Sequence, residues 1–206
     1  MVAARTKIRR HPERALAVPD EAAMILAEAT VAHVGFVQDG QPFVVPLTFL
    51  YRDGRIYLHG APGSRTVKVL ASGAPTCIEV TQVDGLIASK TAEYHSVNYR
   101  SVICFGRGRL ISDREECRPI FEALIGRYFP GRTVGADYMH ITEQEFKATA
   151  LVEVAIEEMS AKGRSGGPLG PTDDDPAAPG KAGVYPAAIG ANRNGGDANA
   201  YPTAQP

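Results

Sequence analysis

Tryptophan is absent from this 206-residue sequence, cysteine occurs three times, and the formal net charge at neutral pH is −1. A near-neutral balance argues against a nucleic-acid partner, which requires a basic stripe. No apolar run approaches a membrane span, and the N-terminus, Met1-Val2-Ala3-Ala4-Arg5-Thr6-Lys7, lacks a signal-peptide core. Cys77, Cys104 and Cys117 are widely separated and lie mostly inside apolar patterns. They read as reduced core cysteines of a cytoplasmic protein, not as a disulfide framework or a metal cluster. His11, His33, His59, His95 and His140 share no metal-ligand spacing with one another or with the cysteines, so no metal site is expected. No Gly-rich nucleotide loop follows a strand, no serine sits in a nucleophile elbow, and no internal repeat is visible.

What the chain does contain is organised around Phe43 to Leu70. Phe43–Tyr51 reads as a strand, Asp53-Gly54 as a turn and Ile56–Gly60 as a second strand, because Asp-Gly accepts the positive φ of a short hairpin and both flanks are β-branched, aromatic and apolar. A tight loop, Ala61-Pro62-Gly63, leads to Ser64-Arg65-Thr66-Val67-Lys68, which opens a helix. The Ser64 hydroxyl at the N-cap, the free N–H groups and the Arg65 guanidinium can converge on one phosphate. An ordinary capped helix with solvated cations has the same pattern. Pro46 cannot donate to a ladder, which puts its strand at an edge or at a bulge and leaves backbone groups free for a ligand.

The flanking segments fit a mainly β chain with covering α-helices. A basic arm, Arg5 to Arg14, precedes a helix begun by Pro19 and Asp20 and running to about Ala29. Val31–Val37 and Pro75–Thr81 read as strands, and Val83-Asp84-Gly85-Leu86 as a turn. Tyr94–Ile111 is a long strand whose Gly106 and Gly108 suit tight curvature. Asp113 caps a helix whose stripe is Cys117, Ile120, Phe121, Leu124, Ile125 and Tyr128. Thr149–Met159 is the last strand, alternating best in its second half. Hydrophobic residues make up 44% of the chain, enough for a real core. The expected division is an arm at 1–18, a barrel domain at 19–160 and a Gly/Pro-rich tail at 161–206, solvated beyond about Ala187.

Several segments together resemble the FMN-binding split barrels related to pyridoxamine 5'-phosphate oxidase. They are the meander, His59-Gly60-Ala61, Ser64-Arg65 opening a helix, and Asn98-Tyr99-Arg100-Ser101-Val102 leading into Phe105-Gly106. The closest likeness is to the branch that includes the Nim-type 5-nitroimidazole resistance proteins. The resemblance begins at Arg9-Arg10-His11-Pro12 and runs to about Lys162-Gly163-Arg164, with an echo at Ala182-Gly183-Val184-Tyr185. It implies a six-stranded antiparallel split β-barrel, homodimeric, with one FMN in each of two interface clefts. Ser64 and Arg65 would then hold the FMN phosphate, helped by Lys68. Pro46, Leu47 and Thr48 would face the flavin ring, His59 would lie beside it, and Arg100 and Ser101 would reach flavin or substrate.

The chain departs from that branch where a tryptophan is common before the Ala-Gly-Val stretch, because Lys181 stands there. The basic substrate-phosphate motif of the oxidase itself is not recognisable, so vitamin B6 oxidation is not expected. The implied activity is FMN-dependent reduction of a small acceptor, nitroaromatics among them, with electrons from a donor such as NAD(P)H. The flavin carries the hydride chemistry, and His59 is the one candidate catalytic acid or base. Two other readings share the fold: a non-catalytic flavin-binding module for storage, sensing or regulation, and a barrel that houses haem or a deazaflavin.

Overall fold

The structure, a computed structural model, describes residues 5–187. The stretch after Ala187, expected to be solvated, lies outside the described residues. A 3-10 turn (Pro12–Arg14) leads into β1 (Ala15–Leu16) and helix α1 (Asp20–Glu28), and a second 3-10 turn (Ala92–Tyr94) comes later in the chain. Two hairpins follow: β2 (Ala32–Gln38) with β3 (Gln41–Leu47), and β4 (Phe49–Arg52) with β5 (Arg55–Gly60). Both turn on Asp-Gly pairs in which each residue has positive φ, 51° and 76° at Asp39-Gly40 and 51° and 73° at Asp53-Gly54. Helix α2 (Arg65–Ala71), the long strands β6 (Pro75–Ala88) and β7 (Ser96–Ile111), helices α3 (Arg114–Tyr128) and α4 (Glu143–Ala148), and strands β8 (Ala150–Arg164) and β9 (Gly183–Tyr185) complete the chain.

All pairings between these strands are antiparallel, in the order β3-β2-β6-β7-β8-β5-β4, with β1 on β8 and β9 on β6. The expected mainly β class holds, but the sheet is open and carries nine strands where six were expected. One addition comes from Phe43–Tyr51, which is two strands broken at Thr48, and two more come from the short pairs made by the arm and the tail. Strands β3 and β4 stand at opposite ends of the path and are joined by Thr48 alone, so the sheet curls until its edges approach. Pro42 and Pro46 sit on the edge strand β3, where a missing N–H leaves no ladder bond unmade on the open side.

Val83–Leu86 is not the expected turn. The strand continues through it with a bulge, Val83 opposite Tyr99 and Gly85 opposite Asn98, leaving Asp84 as the extra residue. The last strand likewise runs past Met159 to Arg164, because Ser160, Ala161 and Lys162 pair with Ile103, Val102 and Ser101.

Inside the curl, Val34, Ile56, Leu58, Ile78, Val80, Val102, Val152 and Val154 pack with Ile25 and Leu26 of α1 and Val67 and Leu70 of α2. On the other face of β5 and β8, Tyr57 and Leu151 pack under Cys117, Ile120 and Leu124 of α3. Burial pushes the Cys104 thiol up to about 12, so it stays protonated and inert. No described helix is long and apolar enough to cross a membrane.

The curvature depends on Gly106 and Gly108. A Cβ on Gly106 would lie 2.1 Å from the Ala155 carbonyl oxygen, and one on Gly108 2.5 Å from that of Leu70. Gly126 in α3 has nothing within 4 Å of the same position. Gly106→Ala is therefore expected to destabilise by roughly 1–3 kcal/mol or more through overpacking, and Gly126→Ala to stabilise by about 0.4–1 kcal/mol. Urea midpoints of the two variants check both signs, and equal midpoints would refute the account.

Candidate functional site

The crossover at Thr48 is held by the C-terminal turn of α3. The Tyr128 hydroxyl accepts the Phe49 N–H at 2.9 Å and lies 2.8 Å from the Thr30 carbonyl, to which it donates. Beside it, the Arg127 guanidinium donates to the carbonyls of Leu26, at 2.8 Å, and Ala29, and lies 4.7 Å from the centroid of the Phe49 ring. One turn of helix thus ties the end of α1 to the point where the chain changes sheet edge.

Two cavities open from this crossover. The larger, about 560 Å³, lies beneath α3 and the chain that follows it, walled by Phe121, Leu124, Ile125, Tyr128 and Met139, with Thr48 and His59 at its floor. The smaller, about 210 Å³, lies between β3, β5 and α2, lined by Val45, Leu47, Leu58, Gly60 and Ser64. His59 lines both. It alternates on β5 with the inward residues Ile56 and Leu58, so its ring turns toward α3 and meets Phe121 edge-on at 6.4 Å between centroids. Its Nδ1 is buried without a hydrogen-bond partner. Burial lowers its pKa, so the imidazole is neutral at neutral pH. A neutral ring has one N–H to give and one lone pair, and no bond from the chain fixes which nitrogen carries which.

The expected site residues fall into two groups. Leu47, His59 and Ser64 meet in the smaller cavity, and Thr48 joins His59 in the larger one. Ser64 caps α2 by accepting the Val67 N–H at 3.3 Å. Arg65 begins that helix with its guanidinium 4.1 Å from the Phe43 ring centroid, and Lys68 lines a further cavity of about 360 Å³ with Pro62 and Val67. Pro46 stands opposite His33 in the edge ladder. Arg100 and Ser101 line neither of the first two cavities. Arg100 holds Asp84 with two bonds, at 3.0 and 2.8 Å, and Glu28 with one at 2.7 Å, and the Ser101 hydroxyl donates to the Lys162 carbonyl at 3.3 Å.

Sequence reasoning read Phe121 and Tyr128 only as a buried stripe and passed over α4. Yet Thr142 and Glu145 form a reciprocal capping box, each side chain bonding the other's backbone N–H, and Thr-x-x-Glu is its sequence signature. Glu145 also lines the larger cavity, together with Arg118 and Glu122.

Residues 19–163 match the family model described as pyridoxamine 5'-phosphate oxidase. No curated protein matches the chain. The FAD and heme binding protein from Mycobacterium smegmatis is 33% identical, with a TM-score of 0.75 over 84% of this chain and 83% of its own. The flavocytochrome Anf3 from Azotobacter vinelandii is 31% identical, with a TM-score of 0.76 over 99% of this chain and 94% of its own. A protein described as a 5-nitroimidazole antibiotic resistance protein, from Bacteroides thetaiotaomicron, shares the fold at 21% identity, with a TM-score of 0.60 over 72% and 85%.

The half-buried imidazole of His59 makes stability depend on pH with a defined sign. The unfolded chain takes up a proton at His59 near the ordinary 6.5, whereas the folded chain resists it to lower pH. Below 6.5 the unfolded state therefore binds more protons, and stability falls as pH falls. The drop in melting temperature between about pH 7 and about pH 5 should be smaller in His59→Gln than in the wild type. Equal drops would show that this ring does not titrate on unfolding.

Proposed function

Because the chain belongs to the pyridoxamine 5'-phosphate oxidase family, we propose that it is a flavin-dependent oxidoreductase that reduces a small acceptor with electrons from a donor such as NAD(P)H. The observation that carries this reading is the meeting of Leu47, His59 and Ser64, from three separate elements, in one cleft at the start of α2. The residues fit a flavin: Val45, Leu47 and Leu58 offer an apolar wall, the cations Arg65 and Lys68 lie on α2 for a phosphate, and the unpaired Nδ1 of His59 lacks a polar partner. FMN and FAD share the ring and the ribityl phosphate that these groups would contact. Two relatives above 30% identity, one described as an FAD and heme binding protein and the other as a flavocytochrome, support a flavin.

When bound, the flavin supplies the two-electron chemistry. The chain's own part is to hold the phosphate at Arg65 and Lys68, to exclude water with the apolar wall, and to offer a proton at a ring nitrogen of His59. That residue is the one titratable side chain lining the smaller cavity. Nitroaromatics belong among the acceptors to be tried, given the Nim-like segments. We further propose a homodimer in which the exposed apolar Val37 and Val44, on the hairpin beside the cleft, are covered by the second subunit.

A second reading is favoured by the larger cavity. It is apolar, it contains a buried imidazole nitrogen with no partner, and one of the two relatives is described as heme-binding. On this reading the chain holds haem in addition to flavin.

Titration of the purified protein with FMN and with FAD, followed by absorption and flavin fluorescence, tests the main reading. The wild type should bind one flavin per chain, and Arg65→Ala should weaken binding about tenfold or more through loss of a charge-assisted phosphate contact. Binding with turnover of NAD(P)H and an acceptor supports an enzyme, and binding without turnover supports the storage or sensing module. Failure of both flavins to bind refutes the proposal.

A further inference from the structure

The cavity beneath α3 carries an uneven charge. Beside the neutral His59, its lining holds Arg118, Glu122 and Glu145. Arg118 and Glu122 stand four residues apart on α3, a spacing that permits an ion pair. The guanidinium turns the other way instead, with its Nε 3.5 Å from Glu115 and its carbon 5.3 Å from the centroid of the Phe146 ring. Glu122 is left with no ion-pair partner among the described residues. Glu145 accepts the Thr142 N–H and hydroxyl on one oxygen, each at 2.8 Å, and these bonds hold its carboxyl below the usual range, so it stays anionic. The lining thus presents two carboxylates, and its one cation is already engaged.

The rest of the wall is aromatic and aliphatic. Phe121, Tyr128, Phe129 and Tyr138 all line a space of about 560 Å³, within the range of pockets that take a small organic molecule. Phe129 and Met139 line it although they are 56% and 86% exposed, so its mouth offers apolar surface for a ligand to cover. Aromatic faces attract a cation, and an unpaired carboxylate beside them adds a counter-charge. A ligand with a pyrophosphate or carboxylates would instead set like charges together.

We propose that this cavity binds an aromatic cation, a planar ring bearing a quaternary or protonated nitrogen, with the Glu122 carboxylate facing the charge and the ring against the aromatic walls. The buried Nδ1 of His59, which has no partner, can accept an N–H from a protonated nitrogen. The role of the ligand rests on the flavin reading: His59 lines this cavity and the cleft at α2, so the cation is the small acceptor. Its binding needs no flavin. Haem, the occupant in the second reading, would bring its propionates to the same two carboxylates and is the competing probe.

Calorimetric titration of the purified full-length protein tests this with three two-ring probes: N-methyl-4-phenylpyridinium, its neutral counterpart 4-phenylpyridine, and the anion biphenyl-4-carboxylate. The cation should bind at one per chain and at least about fivefold more tightly than the neutral ring, and the anion should bind most weakly. Glu122→Gln, a change at an exposed helix position, should remove about that fivefold preference and leave the affinity for 4-phenylpyridine unchanged. Ile125→Trp, which fills the cavity from α3, should abolish binding of both rings. A cation bound no better than the neutral ring overturns the proposal, as does an unchanged preference in Glu122→Gln or binding that survives Ile125→Trp. Hemin that binds where the pyridinium does not overturns it in favour of the second reading. Flavin fluorescence on the same samples separates the two claims, because cation binding without flavin binding upholds the cavity and refutes the flavin reading, and the reverse refutes the cavity alone.

Discussion

The hydroxyl of Tyr128 bonds the backbone on either side of the barrel's seam, and the arrangement of the site follows from that contact. It takes the Phe49 N–H and gives its proton to Thr30, at the point where one residue carries the chain from the first edge of the sheet to the last. A one-residue connection between opposite edges leaves no slack. The sheet has to curl, and the tight approaches at Gly106 and Gly108 let it do so without a side chain in the way. Curling sets β3 beside β5 and α2, which forms the smaller cavity, while the helix that supplies Tyr128 roofs the larger one.

Charge is deployed mainly to hold this frame. Glu153 is buried on β8 yet is bracketed by Arg55 at 3.2 Å and Arg109 at 3.1 Å, and Arg100 ties the bulge at Asp84 to the end of α1 through Glu28. The Arg100 fork lies at the surface, so it fixes the geometry of the bulge more than it adds stability. On α2, by contrast, neither Arg65 nor Lys68 is held in a carboxylate fork. Arg65 lies on the face of the Phe43 ring, and Lys68 has no ion-pair partner among the described residues. The division of labour among these arginines is thus decided by their neighbours and not by their residue type.

Much of this was legible in the sequence, and the failures are instructive. Three Asp-Gly pairs look alike; two are turns with both residues at positive φ, while Asp84-Gly85 is a bulge inside a continuing strand. Local preference was equal at all three, and the length of pairing available on β7 decided the difference. The break at Thr48 was invisible because Leu47-Thr48-Phe49 is good strand sequence on both sides, and only the closure of the sheet splits it. The first half of β8 did not alternate, for a physical reason: Val152 and Val154 face the interior while Leu151 and Glu153 are covered by α3 and its neighbours, so both faces are buried. The Ser64 cap could be read because a helix N-cap is a local pattern, whereas His59 was singled out only through the resemblance of the segments around it. The larger cavity could not be read, since its outer wall comes from a segment after Phe129 with no period to read.

The last long strand to be made, β8, lies inside the sheet between β7 and β5. Strand β5, which bears His59, pairs only with β4 and β8, so during synthesis the β4–β5 hairpin has no sheet to join until residues 150–164 have left the ribosome. The earlier strands β2, β3, β6 and β7 can pair among themselves before then. Both cavities that share His59 are consequently completed at the final, most sequence-distant docking step. Until that moment the growing chain carries an orphan hairpin with an apolar face, which is the state a chaperone or a protease would meet.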